Sequence, residues 1–126
     1  MRAIDTNVLV RLLTRDDAKQ VAAAEAYVGS GAWVSHLVLL EATWVLTATY
    51  RVDAKRLAGS IAMLLEHDRL ALQDPDVVAA ALVQFRKRPS LGFSDCLIYQ
   101  VAHKAGHTPL GTFDRDLARL DGAEQI

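Results

Sequence analysis

The sequence predicts an α/β fold in which a small parallel sheet of four to five strands is wrapped by helices, in a three-layer α/β/α arrangement. The alternation of two kinds of segment supports this prediction. Short apolar segments bounded by turn residues alternate with longer segments of helical periodicity. Such alternation is typical of parallel strands joined by right-handed helical crossovers. The 126 residues contain no internal repeat and no linker, so a single domain over residues 1–126 is expected.

Short apolar segments mark the predicted strands. The first leads directly into Asp5, and the second follows the turn Gly29-Ser30-Gly31. The last is either a brief edge strand or a frayed end. The predicted strands are residues 1–4, Ala32–Ser35, Arg69–Leu72, Thr108–Phe113 and Gly122–Ile126.

Apolar residues at helical spacing mark the predicted helices. Asp16 or Asp17 is a suitable N-cap for the second helix, and Asp53 for the fourth. The Asp74-Pro75 pair places a proline at the first position of the fifth. The helical segments contain Val8–Leu13, Val21–Val28, His36–Tyr50, Leu57–Leu65, Val78–Phe85, Leu97–Ala105 and Leu117–Leu120.

The composition excludes several classes of protein. Hydrophobic residues make up 52% of the chain and charged residues 23%, which is typical of a compact globular protein. Cys96 is the single cysteine, so an intramolecular disulfide and a multi-cysteine metal site are both excluded. We find no secretory signal and no apolar run of the roughly 18–20 residues that a membrane span needs, so a cytoplasmic location is expected. The net charge of −1 gives no global attraction to nucleic acid, although a local basic patch would suffice.

Two acidic residues follow predicted strands. Asp5 follows residues 1–4, and Asp114 follows the strand that ends at Phe113. Because the carboxyl ends of parallel strands meet at one edge of a sheet, we expect both carboxylates at that edge, where sites form in α/β folds. The alternative for Asp5 taken alone is a helix N-cap.

Two further acidic residues belong to predicted helices. Glu41 lies in a strongly apolar segment, and a carboxylate that faces the interior needs a partner or a cation. Its alternatives are a pair with Arg11 or exposure to solvent. Asp95 opens a helix after a glycine-containing loop, where N-capping is the alternative and Ser94 competes for that role. Asp116 is a weaker, peripheral candidate.

These four carboxylates come from distant parts of the chain and would repel one another in one crevice unless a cation neutralised them. Oxygen donors without His or Cys favour Mg²⁺ or Mn²⁺. Such an ion can activate water for attack on a phosphodiester. The residue types therefore agree with this metal-dependent chemistry.

The acidic residues and their flanking segments resemble those of PIN-domain ribonucleases, specifically the VapC toxins of type II toxin–antitoxin pairs. The resemblance covers essentially the whole chain, and it depends on the order and approximate spacing of the acids. Its motifs are Ile4-Asp5-Thr6-Asn7-Val8-Leu9, Glu41, Phe93-Ser94-Asp95-Cys96-Leu97-Ile98 and Thr112-Phe113-Asp114-Arg115-Asp116-Leu117.

The resemblance implies that Asp5, Glu41, Asp95 and Asp114 form a catalytic acidic quartet. Within it, Asp5 and Asp95, with Asp114, would hold Mg²⁺ or Mn²⁺. The resemblance also implies cleavage of RNA, often a tRNA, with inhibition of translation. A homodimer and a cognate antitoxin that covers the site are expected as well.

Other polar residues are candidates for orienting the site or binding the substrate. Asn7 and Thr112 match polar positions that orient such a site in the resembling family. Arg86 and Lys87, followed by Arg88, are suited to contact an RNA backbone near Asp95. The alternative is that these cations only complement the dipole at a helix end.

Two other functions compete with the nuclease. The first is an RNA- or partner-binding module of the same fold without significant hydrolytic activity, which Asp5→Ala would distinguish. The second is a phosphatase or receiver-type protein with an acidic pocket. That function needs a second Asp close to the phosphoacceptor and a Lys in a following loop, and Asp5-Thr6-Asn7 lacks this pattern.

Overall fold

Helices and short strands alternate along the chain, as the periodicity predicts. The computed structural model describes all of residues 1–126. The strands are Arg2–Ala3 (β1), Ala32–Val34 (β2), Leu70–Leu72 (β3), Leu110–Thr112 (β4) and Ala123–Gln125 (β5). The helices are Thr6–Thr14 (α1), Ala18–Val28 (α2), His36–Ala48 (α3), Ala54–Glu66 (α4), Pro75–Lys87 (α5) and Phe93–Lys104 (α6), and short 3-10 helices span Pro89–Leu91 and Leu117–Arg119.

All strand pairs are parallel. Strand β2 is the centre of a three-stranded sheet of order β1-β2-β3, in which Ala32 pairs with Arg2 on one side and with Leu70 on the other. Strands β4 and β5 form a separate two-stranded sheet, in which Leu110 pairs with Ala123. The predicted α/β class with parallel strands is confirmed, and its five strands are divided between two sheets.

The chain consists of two compact units, Met1–Pro75 and Asp76–Ile126. In the first, α1 packs on α2 and α3, and α4 packs on β3. In the second, α6 contacts β4, and the rings of Phe85 and Phe93 meet edge to face at 6.0 Å between centroids. Each unit therefore buries apolar side chains of its own, and each carries two of the four predicted acidic residues.

Side-chain caps begin the first four helices. Asp5, Asp17, Ser35 and Asp53 each accept a hydrogen bond from the backbone N–H three residues on, at 2.8–3.1 Å. Such a cap supplies an acceptor to an amide that has no partner inside the helix. The predicted caps Asp17 and Asp53 are confirmed. Helix α6 is different, because its N-cap residue is Gly92, which has no side chain to offer.

None of the helices combines the length and the apolar character that a bilayer-spanning helix requires.

Candidate metal centre

Asp5 is placed by β1 and α1. The strand ends at Ala3, Ile4 is buried, and Asp5 is exposed at the start of the helix. Its Oδ1 accepts a hydrogen bond from the N–H of Val8 at 3.1 Å, while Oδ2 has no hydrogen bond. The N-cap alternative is therefore confirmed, and it leaves one carboxylate oxygen available to a ligand.

A cavity of about 380 Å³ adjoins Asp5 between α1 and α2. Asn7 and Arg11 line it together with Asp5. The Nε of Arg11 donates to Gln20 Oε1 at 2.6 Å, and its Nη1 donates to side chains other than that of Glu41. The suggested pair between Arg11 and Glu41 is therefore wrong.

Glu41 lies on the exposed face of α3. Leu37 and Trp44, one helical turn to either side on that face, are 79% and 66% exposed. The expectation that Glu41 faces an apolar interior is therefore wrong, and its solvent-exposed alternative holds. The physical reason is that α3 is apolar around most of its circumference but buries only one face, which carries Leu39 and Leu46. Its periodicity cannot identify that face.

Asp114 organises the turn after β4. Its Oδ1 accepts hydrogen bonds from the N–H groups of Asp116 at 2.8 Å and Leu117 at 3.2 Å. Its own N–H donates to Thr112 Oγ1 at 3.0 Å, so Thr112 contacts the backbone of this turn. Its role in orienting the site stays a prediction. The Oδ2 of Asp114 makes no hydrogen bond, so this carboxylate also keeps one oxygen available.

Asp95 is the third residue of α6 and is half-buried. Neither Asp95 nor Ser94 caps the helix, so the N-cap alternative for Asp95 is wrong. Its carboxylate makes no hydrogen bond and no ion pair. Burial raises the pKa of Asp95, and the negative charge of Asp114 raises it further. The second unit thus holds two carboxylates close enough to interact unfavourably.

Asp116 connects this turn to the segment before α6. The Oγ of Ser90 donates to Asp116 Oδ2 at 2.8 Å, and Arg88 Nη2 lies 3.6 Å from Asp116 Oδ1. Because Ser90 lies just before α6 and Asp116 just after Asp114, these contacts fix the position of Asp95 relative to Asp114. Sequence reasoning missed Ser90, since a serine in a loop carries no signal of a partner 26 residues away.

The basic residues at the end of α5 divide into two kinds. Arg88 forms an ion pair with Asp116, whereas Arg86 and Lys87 are exposed in the last turn and form no ion pair. Cations in that position complement the helix dipole, and they also remain available to an anionic ligand.

Cys96 follows Asp95 directly and is fully buried. Burial, and to a smaller extent the charge of Asp95, raises the pKa of its thiol to about 11. The thiol is therefore neutral near pH 7, and Cys96 acts as a small core residue.

The donors available around Asp95 fit a hard divalent cation. Both oxygens of Asp95 and Oδ2 of Asp114 lack hydrogen bonds, and all of them are carboxylate oxygens of the kind that Mg²⁺ and Mn²⁺ prefer. Within either unit by itself, no three His, Cys, Asp or Glu side chains gather closely enough to hold a metal ion. The grouping of Asp5 and Glu41 with Asp95 and Asp114 stays a prediction.

Acidic residues that follow parallel strands, together with a pair of carboxylates that interact unfavourably, define the class as an α/β domain with carboxylates at the ends of its strands. The family model of the PIN domain matches residues 3–123, and the chain belongs to the PIN domain family. PIN domains are generally metal-dependent nucleases. No curated protein and no solved structure matches the chain significantly.

Proposed function

We propose that this protein is a metal-dependent endoribonuclease of the VapC type, the toxin of a toxin–antitoxin pair. It hydrolyses RNA, either a tRNA or another structured RNA, and thereby inhibits translation. Membership of the PIN domain family supports the nuclease part, and the resemblance of the acidic motifs supports the VapC part. The observation that carries the proposal is the pair formed by Asp95 and Asp114, in which burial and mutual repulsion raise the pKa of Asp95.

Each acidic residue has a proposed part. Asp5, Asp95 and Asp114 would hold Mg²⁺ or Mn²⁺ through the oxygens that structural hydrogen bonds leave unused. A bound divalent cation supplies an activated water and neutralises phosphate charge. Glu41 would complete the site or position the attacking water. Asn7 and Thr112 would orient the site, and the hydrogen bond that Thr112 Oγ1 accepts from the N–H of Asp114 supports this part for Thr112.

The exposed cations at the end of α5 have a proposed part in substrate binding. Arg86 and Lys87 form no ion pair and would contact phosphates of the RNA backbone on either side of the cleaved bond. Asp116 would act indirectly, because it holds the turn that positions Asp114. Hydrolysis should leave a 3′-hydroxyl and a 5′-phosphate, which is the outcome expected of a metal-activated water.

The proposed partners follow from the VapC assignment. They are an RNA substrate, a cognate antitoxin that covers the site and a second copy of the chain in a homodimer. The proposed location is the cytoplasm, where such a toxin meets its RNA.

The decisive experiment compares Asp5→Asn with the wild-type chain on total RNA in the presence of Mg²⁺ or Mn²⁺. Asparagine caps a helix about as well as aspartate, so this change removes the charge but keeps the cap of α1. A metal contributes several kcal/mol of transition-state stabilisation, so we expect cleavage to fall on the order of 10³-fold or more. The matched control is Asp17→Asn, which makes the same change at the cap of α2 and should leave cleavage unchanged.

The readout is the mapping of new RNA 5′ ends together with the rate of translation. Wild-type cleavage that survives complete chelation would contradict the metal-dependent assignment. Inhibition of translation by Asp5→Asn at wild-type strength, without cleavage, would instead support the binding module.

A further inference from the structure

A cavity of about 410 Å³ opens at the surface of the Met1–Pro75 unit, and Asp5 is not among the residues that line it. It is lined by the end of α1, the end of α3 and one face of α4. Leu13, Leu46 and Val52 contribute apolar side chains to its walls. Its volume falls within the range of about 300–1,000 Å³ that is usual for small-molecule sites.

Helix α4 has two faces with different roles. One is buried in the core, and the other lines the cavity at positions spaced by three, four and seven residues, as neighbours on a helix surface are. The buried face carries Leu57, Ala58, Ile61 and Leu64, and the cavity face carries Arg56, Gly59, Ser60 and Met63.

Gly59 lies in the middle of α4, where glycine costs about 1 kcal/mol relative to alanine. The usual reasons for a glycine are absent here. Its φ is not positive, and a Cβ added to it would meet no atom within 4 Å. Gly59 is exposed, and its missing side chain leaves open space at the mouth of the cavity.

Two side chains offer free hydrogen-bond donors to this space. Arg56 and Ser60 are neighbours on α4, and neither side chain makes a hydrogen bond or an ion pair. The hydroxyls of Thr14 and Tyr50, which also line the cavity, both donate to the carboxylate of Asp16, at 2.8 and 2.7 Å. A ligand in the cavity would therefore find its donors on α4 alone, and one of them is a guanidinium.

We propose that this cavity binds a small organic anion, whose carboxylate or phosphate contacts Arg56 and Ser60 and whose apolar body lies against Leu13, Leu46 and Val52. The unpaired guanidinium matches an anionic group, because Arg binds carboxylate and phosphate with two parallel hydrogen bonds. The apolar walls match a ring or short aliphatic chain. Gly59 leaves space between the guanidinium of Arg56 and the apolar walls. The proposal is independent of the nuclease activity.

The test uses amide NMR shifts of the full-length chain with four probes. Phenyl phosphate and benzoate combine an anion with a ring, whereas inorganic phosphate and benzyl alcohol each carry only one part. We expect the two ring-bearing anions to shift the Gly59 and Ser60 amides saturably, with dissociation constants in the millimolar range usual for fragments of this size. The other two probes should bind at least about tenfold more weakly. The stronger of the two ring-bearing anions identifies the preferred anionic group.

Three variants locate the binding. Arg56→Gln should raise the dissociation constant of the tighter-binding probe by about tenfold or more, because it removes a charge-assisted hydrogen bond. Gly59→Leu should abolish binding by filling the cavity, and it should not lower the thermal midpoint, since leucine is a good helix former. Lys55→Gln is the matched control, because it removes an exposed cation of the same helix that does not line the cavity.

Equal binding by Arg56→Gln and wild type would overturn the proposal, and so would equal binding of inorganic phosphate and phenyl phosphate. Undiminished binding to a folded Gly59→Leu would also overturn it. Should Gly59→Leu fail to fold, the open space beside Gly59 is disproved, and Arg56→Gln alone then decides whether the anion contacts Arg56.

Discussion

The turns after β1 and β4 share one hydrogen-bonding pattern, which has different consequences in each. In each, an aspartate that follows a parallel strand accepts the N–H three residues on, from Val8 for Asp5 and from Leu117 for Asp114. Asp5 is the N-cap of the nine-residue helix α1, whereas Asp114 precedes a 3-10 helix of three residues whose N-cap is Asp116. Asp114 also accepts a second N–H, and its charge raises the pKa of Asp95.

The difference shows that a candidate metal ligand can stabilise the surrounding backbone to a different degree in each turn. A long helix is held by its own backbone hydrogen bonds and its packing, so its cap contributes little to holding it in place. A three-residue turn has few such bonds, so its acidic residue supports the structure directly. We therefore expect structural and chemical roles to separate cleanly at Asp5 and to overlap at Asp114.

The largest stability effect is expected at Asp114. Asp114→Ala removes a charged acceptor from two backbone N–H groups, and we expect it to lower the free energy of unfolding by about 2 kcal/mol. Asp114→Asn keeps an acceptor oxygen and should cost less than half as much. Urea unfolding followed by circular dichroism, with a chelator present, measures both values. Equal stabilities of Asp114→Ala and wild type would show that the turn does not depend on this carboxylate.

A smaller effect is expected at Asp5. Asp5→Ala removes one cap from α1 and should cost about 1 kcal/mol, the usual value of an N-cap, whereas Asp5→Asn should cost almost nothing. Asp17→Ala, which removes the cap of α2, is the matched control and should cost about the same in the same unfolding experiment. A larger loss of unfolding free energy in Asp5→Ala than in Asp114→Ala would contradict the expected difference between the two turns.

Local patterns predicted the parts of the fold that local interactions determine. Asp17 and Asp53 begin helices as expected, and Asp5 and Asp114 follow strands as expected. These features need only a short segment of sequence, because a cap and the amide it serves are three residues apart.

Features that depend on distant partners were not predictable. The division of the strands between two sheets is set by pairing across long separations, which periodicity does not encode. The exposure of Glu41 depends on which face of an almost uniformly apolar helix is covered. The contact between Ser90 and Asp116 joins two loops, and neither residue type predicts the other as its partner.

The smallest effect has the opposite sign and occurs at Asp95. The pKa of this carboxyl is raised in the folded chain, first by burial and then by Asp114. A group with a raised folded pKa contributes stability that is fully present below its unfolded pKa, near 3.8, and is lost as pH rises through the folded pKa. At pH 7 the ionised Asp95 therefore destabilises the metal-free chain. Asp95→Asn should stabilise it, by less than about 1 kcal/mol because the site is partly exposed to solvent.

Asp76→Asn is the matched control for this last prediction, since both residues lie in the first turn of a helix. Hydrogen bonding to Lys104 lowers the pKa of Asp76, so its ionised form stabilises the chain above pH 3.8, and that stability is lost as pH falls through the lowered pKa. The free energy of unfolding should therefore be measured between pH 3 and pH 7. As pH rises, the stability of Asp95→Asn relative to wild type should increase, and that of Asp76→Asn should decrease. Added Mg²⁺ or Mn²⁺ should cancel the advantage of Asp95→Asn, because a cation that binds only the folded wild type stabilises it. An advantage that persists unchanged in saturating metal would mean that Asp95 does not bind the ion.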